Sequence, residues 1–173
     1  MNIFKMIISN IQIKNKKEIM KFVSKHKSIN HNLIENGSST YDSHNLKNEK
    51  VLSSICKTFL KLTDNKFEIL ELWFNKYRKG GYVKPHNHLP VNGDVKNKYL
   101  TGVYYFKKPK KSGTLVINQK KIDTEEDDFV IFNVDDTHYT TKNLSNQNKI
   151  VFSVNMKNIK WIYLITIGIL VVY

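Results

Sequence analysis

The 173 residues carry 28 Lys and Arg against 15 Asp and Glu, a formal net charge of +13, with 40% apolar and 12% aromatic residues. That is apolar mass enough for one domain with its own core, and the single cysteine, Cys56, excludes a disulfide framework and fits a reducing compartment, the cytoplasm. Arg78 is the only arginine and the lysines are spread from Lys5 to Lys160 without a dense stripe, so nucleic-acid binding is allowed by the charge but not favoured.

The opening stretch, "MNIFKMIISNIQIK", has no unbroken apolar run of signal-peptide length. Residues 1–65 read as a helical, polar-rich support region packed on a sheet. "KKEIMKFVSKHKS" sets Ile19, Met20, Phe22 and Val23 on one side of an amphipathic helix, and "LKNEKVLSSICKTFLKL" repeats apolar positions at Val51, Leu52, Ile55, Phe59 and Leu60. Between them, "NHNLIENGSSTYDSHN" has the Gly, Ser and Asn of a loop. His26, His31 and His44 fall in these polar stretches and are expected to face solvent. Cys56, inside the second helix, is expected as a buried thiol and not a nucleophile.

From Phe67 the pattern changes to short strands. "FEILELWFNKY" is expected to end at a Gly80-Gly81 turn, and "YLTGVYYF" is a strand by composition. "KKPKKSG" reads as a hairpin loop before "TLVIN"; "DDFVIF" and "HYTT" flank "NVDDT", and "KIVFSVNM" follows. Closely spaced short strands predict an all-β sandwich, barrel or jelly roll over residues 66–157, with the helices outside it. Residues 158–173 form a hydrophobic tail. Its run from Trp161 to Tyr173 is shorter than the roughly 20 residues of a spanning helix, which leaves a weak membrane contact or a last buried strand open.

"KPHNHLP" places His86 and His88 one residue apart. Alternate residues of an extended segment share a face, so both imidazoles can lean into one pocket, or both can be ordinary loop histidines. His138, 52 residues beyond His86, heads the "HYTT" strand. A strand-borne pair followed several strands later by a third histidine is the layout of a facial metal site with open positions, suited to Fe(II) and oxygen chemistry. Zinc would also accept three imidazoles and a water.

From about Trp73 to Asn155 the chain resembles the 2-oxoglutarate- and Fe(II)-dependent oxygenases, and within them the small oxygenases of phages and marine bacteria. The resemblance is carried by "WFNKYRKGGYVKPHNH", "LTGVYYFKKPKKSGTLVI", "DDFVIFNVDDTHYTT" and "NKIVFSVN", in the family's order. It implies a double-stranded β-helix (jelly roll, cupin-like), with Fe(II), 2-oxoglutarate as cosubstrate and O2. By that resemblance His86 matches the first ligand and His138 the distal one. His88 stands where an aspartate is commoner, and Asp94 is the alternative middle ligand. Lys149 matches the cation for the cosubstrate's far carboxylate, and Asn75 and Tyr77 match an Asn-x-Tyr pair that contacts it in nucleic-acid demethylases of the superfamily. Trp73, Tyr104 and Tyr105 are expected as core or pocket walls, and Arg78 on the outer face. The implied activity is hydroxylation of a substrate that is small molecule, protein side chain or nucleotide; a non-catalytic cupin-like module and a nucleic-acid demethylase are the alternatives.

Overall fold

A computed structural model describes residues 6–88 and 98–159; Asp94 and the 161–173 run lie outside them. The elements follow in the order β1 (Ile7–Asn10), α1 (Lys16–Lys25), β2 (Ile34–Ser39), α2 (Ser53–Leu62), β3 (Phe67–Val83), β4 (Tyr99–Lys107), β5 (Leu115–Ile117), β6 (Lys120–Ile122), β7 (Asp128–Asn133), β8 (His138–Thr140) and β9 (Lys149–Asn158). Six strands make an antiparallel sheet in the order β1-β7-β4-β9-β3-β2, and three make a second in the order β6-β5-β8. An antiparallel bridge between His86 and His138 ties the segment after β3 to the free side of β8. Two sheets joined by strands that cross between them form the double-stranded β-helix.

Strand alternation divides the apolar residues between two faces of the large sheet. On one face Phe74, Leu100, Phe129, Phe152 and Val154 pack under the helices, where Ile19, Ile55 and Phe59 are buried. On the other, Tyr77, Val103, Tyr105, Phe132 and Val151 face Leu115, Ile117 and Ile122 of the small sheet and its surroundings. The helices therefore seal the outside and leave the space between the sheets for a site.

Gly102, in β4, lies directly under α2. A Cβ there would collide with Phe59 Cε1 and come within 2.8 Å of Val154 Cγ2. Phe59 is fully buried and meets Phe129 edge-on at 4.9 Å, so it has little room to yield. Gly102→Ala should cost about 1–3 kcal/mol through overpacking. A urea-unfolding midpoint that does not move would place α2 differently on the sheet.

Several local expectations are revised. The stretch read as helical also supplies two edge strands, β1 on β7 and β2 on β3. β2 has the sequence "IENGSS", poor in β-formers, and its extended form comes from pairing with β3. The Gly80-Gly81 pair does not end a strand. β3 runs through it to Val83, and the register with β2 jumps from Gly37↔Tyr77 to Glu35↔Tyr82. Gly80 adopts φ +80° and its N–H donates to the Asn143 carbonyl at 2.6 Å. This bulge redirects the chain from the large sheet toward the small one, where the histidines lie. "KKPKKSG" is likewise not a hairpin loop, because it joins β4 of the large sheet to β5 of the small one.

Of the polar N-terminal histidines, His44 is exposed, whereas His26 is half-buried against Phe22 at 4.8 Å. Cys56 is half-buried, and burial pushes its thiol up to about 11, which suits an inert packing residue. Arg78 is exposed. Among the described residues, no helix is long and apolar enough to cross a membrane.

Candidate metal centre

Backbone hydrogen bonds fix the "KPHNH" segment before any side chain is considered. His86 N–H donates to His138 O at 3.1 Å, His138 N–H to His86 O at 2.9 Å, and His88 N–H to Val134 O at 3.0 Å. The segment is thereby held extended beside β8, and the period of two turns His86 and His88 to the same side as His138.

The rings converge. Their centroids are 4.3 Å (His86–His138), 5.0 Å (His86–His88) and 5.1 Å (His88–His138) apart. His86 Nδ1 lies 2.8 Å from Lys84 O and His138 Nδ1 lies 3.0 Å from Asp136 O. A carbonyl can only accept, so each Nδ1 carries the proton and each Nε2 keeps its lone pair. His88 Nε2 stands 3.3 Å from His138 Nε2, and one ligand atom from each of the three residues lies within 4.8 Å of the others. Two nitrogens bound at about 2.1 Å to one ion are themselves about 3.0–3.4 Å apart. The arrangement fits a single metal ion with three imidazole ligands on one face.

Burial, reinforced by the neighbouring imidazoles, pushes His88 down to about 3 and His138 down to about 4, and burial lowers His86 as well. All three rings are thus neutral near pH 7, the form that coordinates. An aromatic shell surrounds them: Trp73 is 5.7 Å from His88 and Phe132 is 4.8 Å from His138.

The histidines line a cavity of about 760 Å³ between the sheets. Asn75 and Tyr77, alternate residues of β3, are on its wall. Lys149 pairs across the strands with Tyr77 and sits behind that ring, its Nζ 4.9 Å from the ring centroid. The lysine is fully buried and its Nζ has no hydrogen-bond partner among the described residues. Burial, and then the charge of Lys108, pushes it down to about 7. The Asn75 Oδ1 is also buried without a partner. A buried ammonium without a counter-charge is a fitting place for an anionic group.

Tyr104 and Tyr105 separate. Tyr104 points to the helix side and its hydroxyl donates to Asp127 Oδ1 at 2.7 Å, while Tyr105 lines the cavity. His31, expected at the surface, also lines the cavity and meets Asp42 Oδ2 at 3.3 Å. No local signal marks it, because its neighbours come from the fold.

No family model and no curated protein matches the sequence. Solved structures match over most of the chain. HygX from Streptomyces hygroscopicus, with nickel, 2-oxoglutarate and hygromycin B bound, is 8% identical with a TM-score of 0.69, covering 89% of this chain and 83% of HygX. The viral collagen prolyl hydroxylase of Paramecium Bursaria Chlorella virus-1, in its 2-oxoglutarate complex, is 16% identical with a TM-score of 0.63, covering 91% and 97%. The non-heme alpha-ketoglutarate-dependent epimerase SnoN is 9% identical with a TM-score of 0.65, covering 88% and 77%. The chain has the fold of the 2-oxoglutarate- and iron(II)-dependent oxygenases. At these identities the likeness speaks for the fold, and a prolyl hydroxylase and an epimerase among the three show how little the fold says about the reaction.

Proposed function

We propose that this chain is a 2-oxoglutarate- and Fe(II)-dependent oxygenase, most simply a hydroxylase, with His86, His88 and His138 as the metal ligands. The observation that carries the reading is the convergence of three neutral imidazoles on one cavity wall, with a buried, unpartnered ammonium behind the same cavity. Bound there, Fe(II) with O2 would supply the oxidising chemistry that turns 2-oxoglutarate into succinate and CO2 and oxidises the substrate.

The chain's own residues have separable tasks. The carbonyls of Lys84 and Asp136 hold the His86 and His138 rings in one tautomer and orientation. Lys149 would anchor the far carboxylate of 2-oxoglutarate as a point charge, and Asn75 and Tyr77 would position the rest of the molecule. Three imidazoles bring no negative charge, so the dianionic cosubstrate would offset the charge of the metal. Trp73 and Phe132 keep the ligand shell apolar and limit water.

An anaerobic titration checks the reading. Fe(II) and 2-oxoglutarate together should give the weak visible charge-transfer band of a chelated keto acid, and neither alone should. Absence of the band from folded, iron-loaded protein would favour a non-catalytic metal-binding module on the same scaffold.

A further inference from the structure

The inner face of β3 and β9 has a polarity along its length. Its cross-strand pairs are Glu71–Asn155, Trp73–Ser153, Asn75–Val151 and Tyr77–Lys149. Glu71 and Tyr77 are separated by roughly 20 Å of strand at about 3.3 Å per residue. A carboxylate therefore stands at one end of this face and an ammonium at the other, and between them His88 packs beside Trp73.

Glu71 is held in place. Its Oε2 accepts from Asn155 Nδ2 at 2.9 Å, and Asn155 Oδ1 accepts from Thr101 Oγ1 at 3.2 Å. Tyr41 packs edge-on against Trp73 at 4.9 Å, which makes an aromatic wall next to the carboxylate. Burial first, then the charges of Glu71 and Asp42, holds the Tyr41 hydroxyl above its usual range, so both carboxylates act on this rim. Among the described residues that line the cavity there is no lysine or arginine, and Glu71 is the single carboxylate. That is a local reversal in a chain with a net charge of +13. The buried Asn75 Oδ1, without a partner among the described residues on the same wall, is a further acceptor.

We infer that the Glu71 end of the cavity selects a substrate bearing a cationic amine, its ammonium held by the carboxylate against the Trp73 and Tyr41 rings. A carboxylate beside aromatic faces favours an ammonium over a neutral or anionic group of the same size. The word substrate rests on the oxygenase reading; the binding preference rests on the cavity wall alone.

The test uses the full metal-free chain and three probes of equal length: n-hexylamine, 1-hexanol and hexanoate. Affinity is read from the Trp73 indole N–H signal, assigned with a Trp161→Phe variant. n-Hexylamine should bind about tenfold more tightly than 1-hexanol, and in a Lys149→Met variant, which lacks the carboxylate anchor at the other end, hexanoate should bind more weakly than either. Glu71→Gln keeps an acceptor for Asn155 and removes only the charge, so it should bring the amine down to the level of the alcohol. Tyr41 is 40% exposed, and Tyr41→Ala, which spares the core, should weaken the amine selectively. Equal binding of amine and alcohol, a preference for hexanoate in the Lys149→Met variant, or an unchanged amine affinity in a folded Glu71→Gln variant overturns the proposal. 2-Oxoglutarate and Fe(II) are titrated separately, so failure of that pair to bind counts against the oxygenase reading and leaves the amine result standing.

Discussion

His86→Ala and His138→Ala should each lower Fe(II) affinity by more than about 100-fold, since loss of an outer-shell partner alone typically costs 10- to 100-fold. Both residues lie on the cavity wall and each contributes one atom to the cluster. Only their side chains are lost in the variants, because the bonds that tie their backbones together are main-chain bonds. His88 is the discriminating position. If it is the middle ligand, His88→Ala loses metal, Asp94→Ala keeps it, and His88→Asp restores binding through a carboxylate. If Asp94 holds that place, the first two results exchange. Iron content across the series, with folding followed by circular dichroism, separates the models. Full metal retention in both His86→Ala and His138→Ala would end the assignment.

Lys149→Met should have two effects of opposite sign. A fully buried ammonium without a hydrogen-bond partner destabilises the folded chain, so an apolar residue of similar length should stabilise it by about 1–4 kcal/mol. The same change should weaken 2-oxoglutarate binding by about 10- to 100-fold, the worth of a contact to a charged group. The pH dependence follows from the lysine standing at about 7 when folded against an ordinary value of 10.5. Between those values the unfolded chain binds the extra proton, so this group's contribution to stability rises with pH. The penalty is fully present below pH 7 and fades toward 10.5; the advantage of the Met variant should shrink in the same window. Binding of a carboxylate needs the charged form, so 2-oxoglutarate affinity should fall as pH rises above about 7. A destabilised Lys149→Met with unchanged 2-oxoglutarate affinity would make the lysine a structural residue.

The parts of the fold legible in the sequence were those whose burial is decided locally. β4, β7 and β9 are covered on both faces, so "YLTGVYYF", "DDFVIF" and "KIVFSVNM" read as apolar runs wherever they lie. β2 was illegible because its extended form is imposed by β3, and the Gly80 bulge resembles a turn in every local respect. The histidine cluster was legible because a spacing of two survives any placement of the strand. Which of Tyr104 and Tyr105 faces the cavity was not, and neither was the place of His31. Adjacent tyrosines point opposite ways, and choosing between them needs the register of β4, which itself shifts between Tyr104 and Lys107. His31 reaches the cavity through contacts with Tyr41 and Asp42 that only the folded chain creates.

The most direct measurement is the fate of isotopically labelled 2-oxoglutarate when O2 is admitted to the anaerobic, Fe(II)-loaded chain, followed by mass spectrometry of the acids released. Labelled succinate should form with the wild-type chain, stay absent without iron, and stay absent with a folded His138→Ala variant. Intact 2-oxoglutarate in the wild-type sample, or equal succinate from wild type and His138→Ala, would contradict the assignment of this site.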